Sequence, residues 1–292
     1  MKSYVFVTDS DSDLPFDLLD TLDIQMIYMP YSIEGVEYFD DLGRSANQTN
    51  YFNNMRNGAV PVTSCLPAAY FEEYFEPFLK EGKDILYIAF SSQLSQNLNN
   101  VYASREVLLE KYPERKFEVV DTLSISAPQS ILILKAYEMY EAGSDIKTVA
   151  NWVNDNKLRS HAWLTVDSLV YLKRGGRISN IAAAMGSLLD LKPIIIINRE
   201  GKMVSISKVQ GRKRALHSLV NQALENIDDF ANADITIIHA DALNDANYLA
   251  DYMRKKIPEN TPIKIQFVGP VIGAHCGPGT VAICFFGKER SI

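Results

Sequence analysis

Three aspartates stand at every second position directly after the first strand-like run of the chain. Asp9, Asp11 and Asp13 are carboxylates in a spacing that could hold a divalent cation, and after a strand such an acid can also be a nucleophile. The alternative is a helix N-terminus that is capped by Ser12 or Asp13, with Pro15 in the first turn. We favour the capping role and keep the metal-dependent role as the second interpretation.

Hydroxyl side chains cluster at two further points of the sequence. Thr63 and Ser64 precede a helix-like segment, where they can cap the helix or join its free N–H groups in holding an anion. Residues 91–95 follow the most strand-like run and place Ser92 and Ser95 where α/β sheets bind ligands. No GxSxG turn and no His–Asp pattern marks these serines as nucleophiles, so they predict binding, not catalysis.

A glycine-rich segment, 273–280, carries a histidine between the last two apolar runs, and the segment is predicted to be a loop. Gly277 and Gly279 would let the backbone approach a ligand closely, and His275 would supply a hydrogen-bond partner near neutral pH. A purely structural histidine is the alternative. Cys276 has no recognisable base partner, so we interpret it as a packing or lining residue.

Two basic segments stand out in a chain whose formal net charge is −7. Residues 173–177 and 208–214 both contain glycine, and the second includes Arg212. Such concentrated positive charge favours a local anion-binding or docking face. Ordinary solvated charge at helix ends is the alternative.

The pattern of apolar runs predicts the scaffold that positions these groups. In the first half, strand-like runs alternate with helix-length segments, which indicates βαβ units and a mainly parallel sheet. In the second half, a hairpin over 193–209 and a helix over 181–191 indicate an α+β domain with a mixed, partly antiparallel sheet. The predicted fold class is α/β, with an N-terminal domain over 1–160 and a C-terminal domain over 161–292.

Composition excludes several classes of protein. The chain has 292 residues, of which 47% are hydrophobic, so general disorder is excluded, and its net acidity argues against a nucleic-acid-coating protein. No run approaches the ~20 apolar residues of a membrane span, and no export signal is visible. Three cysteines without CxxC spacing predict a reducing, cytoplasmic compartment, and the absence of an HExxH motif argues against a zinc site.

Seven segments, taken in order along the chain, resemble the motifs of the DegV family of bacterial lipid-binding proteins. Residues 7–15 resemble the opening TDSTSDLP, residues 61–64 resemble PxTS, and residues 91–95 resemble SSxLS. Residues 171–179 match YLKxGGRIS, 191–194 match LKPI, 211–215 resemble the basic RxRKKA-like segment, and 272–279 match IGxHxGPG. One such motif would be weak, whereas seven in order are a specific signal.

This resemblance implies two domains that close on one fatty acid, held in a tunnel between them. It assigns the acyl carboxylate to Thr63 and Ser95, with His275 nearby. The supporting or lining positions are Ser64, Ser92, Cys276, Gly277 and Gly279.

The resemblance also implies a role beyond binding. Family members serve as the acyl-binding subunit of a two-component fatty acid kinase, whose ATP-dependent partner phosphorylates the bound carboxylate for phospholipid synthesis. The chain would then have no catalytic residue, metal or cofactor of its own, and Arg212 would face the partner or the phosphate. The ligand expected from the resemblance is a fatty acid of about 16 to 18 carbons, and its tail needs a long apolar tunnel because each buried CH₂ contributes about 0.8 kcal/mol to binding. No nucleic acid and no integral membrane segment are expected, and membrane contact would be transient.

Some positions depart from the family motifs. Asp11 replaces a hydroxyl residue, Gln96 and Asn97 replace Gly-Thr after Ser95, and Cys276 replaces a threonine. Larger side chains at these positions are expected to narrow the head-group site or to shift the acyl preference.

Two functions of other classes stay open on the sequence alone. The first is a metal-dependent phosphohydrolase that uses Asp9 and Asp11. The second is a non-enzymatic interaction module whose pocket holds no lipid.

Overall fold

The computed structural model describes residues 2–45, 47–179 and 190–292. The first elements in chain order are β1 (Tyr4–Asp9), α1 (Phe16–Leu19), β2 (Ile24–Ile27), β3 (Pro30–Ile33), β4 (Val36–Phe39), α2 (Gln48–Arg56), β5 (Val62–Thr63), α3 (Ala68–Lys80), β6 (Asp84–Ala89), α4 (Asn97–Lys111), β7 (Phe117–Asp121), α5 (Ser126–Glu141) and α6 (Ile146–Asn156). They are followed by β8 (Ser160–Thr165), α7 (Val170–Gly175), β9 (Ile178–Ser179), β10 (Leu191–Ile197), β11 (Met203–Gln210), α8 (Arg212–Asn226), β12 (Ile235–His239), α9 (Leu243–Arg254), β13 (Ile263–Phe267), α10 (Pro270–Cys276) and β14 (Val281–Phe286). The helix predicted over 181–191 falls almost wholly outside the described residues.

The first half of the chain builds a parallel sheet with the strand order β2-β1-β6-β7. Every residue of β1 is buried, which is expected of a parallel strand covered on both faces. The predicted parallel sheet is confirmed. Because β1 and β6 are neighbours, the segments that follow them meet at one edge of the sheet, where α/β folds bind ligands.

The second half builds a mixed sheet with the strand order β13-β12-β14-β8-β10-β11-β9. The central pairs are antiparallel, whereas β12–β13 and β9–β11 are parallel. The predicted hairpin is β10–β11, and the fold class is α/β with a mixed sheet as predicted. The sheet begins at Ser160, close to the proposed boundary, while the division into two domains itself stays a prediction.

A small third sheet, with the order β4-β3-β5, was not predicted. The apolar run 24–31 divides between the parallel sheet and this small one. The division falls before Pro30, which cannot donate a backbone hydrogen bond and is tolerated at the start of a strand. The small sheet matters for function because Thr63 on β5 pairs with Tyr31 on β3.

Two local predictions were wrong. The acidic segment does not cap α1: Pro15 precedes the helix, no side chain caps it, and Ser12 Oγ instead donates to the Asp9 carbonyl at 2.7 Å. The segment predicted as a glycine-rich loop, 273–280, instead begins inside α10, which starts at Pro270 and carries His275 in its last turn. Proline is favoured at the first position of a helix, and this signal was overlooked.

The core lies on both faces of the mixed sheet. Along β14, Ala282 and Cys284 join the buried cluster shared with the parallel sheet, whereas Ile283 and Phe285 pack with the helices α8 and α9. This alternation, with a period of two residues, buries both faces of the strand. None of the helices among the described residues combines the length and apolar character that a membrane span requires.

Candidate functional site

A mainly apolar pocket is lined by residues of both halves of the chain. It encloses about 940 Å³ of space between protein atoms, part of it open to solvent. Its apolar wall includes Leu164, Ile197, Ile238, Val268 and Ala282. Such a wall suits a ligand with a long apolar part.

The three residues predicted to hold a carboxylate all line this pocket. Thr63 Oγ1 and His275 Nε2 are 2.9 Å apart and form a hydrogen bond across 212 positions of sequence. Ser95 precedes α4, where its Oγ accepts a hydrogen bond from the backbone N–H of Asn97 at 3.2 Å and lies 3.8 Å from Cys65 Sγ. Polar hydrogen-bonding groups thus share one apolar cavity, an arrangement that can bind and orient a polar head group.

The supporting positions divide into two groups. Ser64 and Cys276 line the pocket, whereas Ser92, Gly277 and Gly279 do not border it. Gly277 is required for close packing, because it has φ +77° and an added Cβ would lie 2.1 Å from Cδ2 of Tyr171. Gly277 therefore helps to position α10, and with it the histidine.

Arg212, predicted to face a partner, is engaged within the chain itself. Its guanidinium donates to Asp245 at 2.8 Å and to the carbonyl of Gly279 at 2.5 Å, and its side chain is 18% exposed. Asp167 lies 3.7 Å from the same group. Arg212 thus fixes the turn after α10, and its docking role stays a prediction.

His275 is held neutral at physiological pH. Burial, reinforced by the neighbouring Arg177 cation, lowers the pKa of the imidazole to about 4. Arg177 lines the same pocket and donates to the carbonyls of Leu94 and Gly175. It was not predicted as a site residue, although the basic segment 173–177 was noted as a candidate anion-binding face. A carboxylate in this pocket would meet neutral donors with one guanidinium nearby.

Gly175 lies directly against the histidine ring, and this contact leads to a prediction. A Cβ added at Gly175 would lie 2.3 Å from His275 Nδ1, so Gly175→Ala must displace the ring. We expect the affinity for a carboxylate ligand to fall about tenfold, which corresponds to about 1.4 kcal/mol for a weakened hydrogen bond. Calorimetric titration with palmitate measures the change.

The His275→Ala background supplies the matched control for this substitution. If Gly175→Ala acts through the histidine, adding it to His275→Ala costs little further affinity. A full tenfold additional loss in that background would show that Gly175 acts by another route.

The acidic segment after β1 forms hydrogen bonds with other parts of the folded chain. The carboxylate of Asp9 accepts hydrogen bonds from Tyr87 Oη at 2.8 Å, the Phe90 backbone N–H at 3.0 Å and Gln129 Nε2 at 3.1 Å. Asp9 is also 0% exposed, and this burial, together with donors on both oxygens, argues against the nucleophile role that the phosphohydrolase interpretation requires. Over the described parts of the chain, no group of three or more His, Cys, Asp or Glu side chains is arranged to hold a metal ion.

Several buried carboxyls make the stability of the chain dependent on pH. Burial raises the pKa of Asp13 to about 7 and those of Asp11 and Asp40 well above the ordinary range. Because the pKa of Asp13 is about 7 in the folded chain and ordinary in the unfolded chain, its contribution to the free energy of unfolding is lost as pH rises from about 6 to 8. The lowered pKa values of His161 and His275, about 4 in the folded chain, act in the opposite sense up to about pH 7.5, so the Asp13 contribution is measured against a variant that lacks this carboxyl.

We therefore expect the melting temperature of the wild type, taken relative to that of Asp13→Asn, to fall by about 2–4 °C between pH 6 and 8. Thermal unfolding of both proteins across this range measures the difference. Asp155→Asn, at an exposed position, is the control and should follow the wild type. An unchanged pH dependence in Asp13→Asn would contradict the assignment.

Comparisons with known proteins agree with the geometry. The sequence model of a family described as uncharacterised, the DegV family, matches residues 4–288. A DegV domain-containing protein of Clostridium perfringens is 40% identical over 290 residues, which cover 99% of each chain. A fatty acid binding DegV family protein of Streptococcus agalactiae superposes with a TM-score of 0.86 at 28% identity, covering 99% of this chain and 100% of that one. A Thermus thermophilus DegV family protein, described for its fatty acid binding, has a TM-score of 0.85 at 26% identity, over 98% and 100% of the two chains.

Proposed function

The chain belongs to the DegV family, and from this membership and its pocket we propose that it binds one long-chain fatty acid. The observation that carries the proposal is the hydrogen-bonded pair of Thr63 and His275, which shares an apolar cavity with Ser95. The relatives from Streptococcus agalactiae and Thermus thermophilus are described as binding fatty acids, which supports the same ligand class here.

The carboxylate would be held by hydrogen bonds at one end of the tunnel. Thr63 and Ser95 would donate hydroxyl protons, and the neutral imidazole of His275 would donate its Nε2–H to Thr63 Oγ1 and so orient that hydroxyl toward the carboxylate. Hydrogen bonds to a charged group contribute about 1.5–3 kcal/mol each, so a few of them suffice for recognition. The nearby guanidinium of Arg177 favours an anion over a neutral or cationic head group.

The acyl chain would supply most of the binding free energy. Each buried CH₂ contributes about 0.8 kcal/mol, so a chain of about 16 to 18 carbons gives on the order of ten kcal/mol before ordering costs. The lining residues come from both 1–160 and 161–292, which supports a tunnel between two domains divided near residue 160.

We further propose that the bound acid is presented to an ATP-dependent kinase. A carboxylate oxygen would attack the γ-phosphorus of ATP, which gives an acyl phosphate and releases ADP. The partner would supply the ATP site, while this chain would hold the carboxylate by neutral donors that leave an oxygen nucleophilic. Arg212 and the turn that it fixes would lie at the docking face.

Fatty acid binding is tested by titrating delipidated protein with palmitate. We expect saturation near one palmitate per chain with a Kd at or below about 1 µM, which corresponds to about 8 kcal/mol. Hexadecylamine is the control, because it has the same chain length and a cationic head group that Arg177 would repel. Equal affinity for the amine would contradict carboxylate recognition.

Presentation to a kinase is tested separately. Palmitate-loaded protein is incubated with ATP and with a kinase that phosphorylates fatty acids bound to DegV family proteins. Hydroxylamine is added because it traps acyl phosphate as a hydroxamate. We expect the hydroxamate only when all components are present. If the protein binds palmitate but no hydroxamate forms, presentation to a kinase is contradicted, whereas fatty acid binding stands.

A further inference from the structure

One carboxyl in the tunnel wall has no part in the head-group site. Asp11 lines the same pocket as Thr63 and His275 and is only 4% exposed. Its Oδ1 is buried and has no hydrogen-bond partner among the described residues. Only Asp11 and His275 combine such an unpartnered atom with a place in this pocket, within the described ranges, and the histidine atom faces Gly175.

Two neighbouring aspartates differ from Asp11 in their hydrogen bonds. Asp9 is held by three donors, and Asp13 accepts hydrogen bonds from Ser126 Oγ and from the Gly269 backbone N–H. A buried oxygen without a partner costs about 1–3 kcal/mol, and the alkyl chain of a plain fatty acid offers it no hydrogen bond. A ligand that brings a polar atom to Asp11 would recover that cost.

Contacts between neighbouring residues place Asp11 on the head-group side of the tunnel. Ser10, the residue before it, accepts a hydrogen bond at its Oγ from the Met29 backbone N–H at 2.9 Å. Met29 Sδ in turn accepts one from the Asn97 side chain at 3.2 Å, and the backbone N–H of Asn97 donates to Ser95 Oγ. Asp11 therefore lies nearer to the carboxyl end of a bound acid than to its methyl end.

The charge state of Asp11 suits a neutral polar partner. Burial, with the negative charges of Asp9, Asp40 and Asp13 and the thiol of Cys65, raises its pKa well above the ordinary carboxyl range. The raised pKa favours the protonated carboxyl, which both donates and accepts a hydrogen bond. A hydroxyl group, which also does both, is its natural complement.

We propose that Asp11 is a specificity residue that selects acyl ligands carrying a hydroxyl on the second or third carbon. This inference rests on the proposed fatty acid binding and narrows its ligand class to hydroxy fatty acids. A site built around a hydrogen bond to a ligand hydroxyl discriminates strongly against the analogue that lacks it. We expect delipidated protein to bind 2-hydroxypalmitate or 3-hydroxypalmitate about tenfold more tightly than palmitate.

The test compares palmitate with its hydroxylated forms on the wild type, Asp11→Leu and Asp11→Asn. Asp11→Leu keeps the approximate volume but removes the hydrogen bond, so it should lose the preference while still binding palmitate. Asp11→Asn keeps a donor and an acceptor, so it should retain most of the preference. 16-Hydroxypalmitate, with its hydroxyl at the far end, should bind no more tightly than palmitate.

The outcomes separate this inference from the proposed function. Palmitate binding without any preference for a 2- or 3-hydroxyl, or a preference that persists in Asp11→Leu, would overturn the inference and leave fatty acid binding intact. If the wild type binds none of these acids, fatty acid binding itself fails. Palmitate binding by Asp11→Leu also shows that the variant is folded.

Discussion

Removal of the Thr63 and Ser95 hydroxyls together should lower the affinity for palmitate by about 100-fold or more. Each hydrogen bond to a carboxylate contributes about 1.5–3 kcal/mol, and every 1.4 kcal/mol corresponds to a factor of ten. His275 would also lose the Thr63 hydroxyl that lies 2.9 Å from its ring. Calorimetric titration of delipidated Thr63→Ala/Ser95→Ala with palmitate measures the effect.

The matched control removes one serine and one threonine hydroxyl from exposed positions. Ser3→Ala/Thr21→Ala makes the same chemical change outside the pocket and should bind palmitate as the wild type does. Wild-type affinity in Thr63→Ala/Ser95→Ala would refute the assignment of the head-group site.

Enlarging the apolar wall at Ala282 should shift the acyl preference toward shorter acids. Ala282 is 2% exposed, lines the pocket, and pairs on β14 with Leu164 and Ile238, which line it too. Ala282→Leu would occupy the space of about three ligand carbons, which costs palmitate about 2 kcal/mol, or roughly 30-fold in affinity. Competition among saturated acids of increasing length measures the shift.

Decanoate binding serves as the internal check that Ala282→Leu is folded. Ile283→Val, the next residue on the same strand, changes the cluster on the opposite face and should leave the acyl preference unchanged. An unaltered preference in Ala282→Leu would mean that the acyl chain does not run past this wall.

The regular part of the fold could be predicted from the sequence because its signals are local. A fully buried strand such as β1 appears in the sequence as a continuous apolar run. The β10–β11 hairpin appears as two strand-like runs on either side of the turn residue Gly201. The small sheet was missed because β4 is fully exposed and β5 has only two residues, so neither shows a periodic apolar pattern. Such strands are defined by their partners rather than by their own sequence.

The site was only partly predictable for a related reason. The motifs singled out Thr63, Ser95 and His275, but a contact across 212 positions follows from topology and not from spacing. Arg177 stood in a segment noted only for its charge, and its approach to the histidine depends on the packing of α7 against α10. Asp11 was noted as a departure from the motif, but its unpartnered oxygen could be recognised only with the fold in place.

Mass spectrometry of an organic extract from the purified protein tests fatty acid binding most directly. The protein is denatured, the extract is analysed against internal standards, and the remaining chain is quantified. We expect close to one long-chain fatty acid per chain, or its hydroxylated form if Asp11 selects for it. An extract without fatty acid, from a protein that also fails to bind added palmitate, would contradict the proposed function.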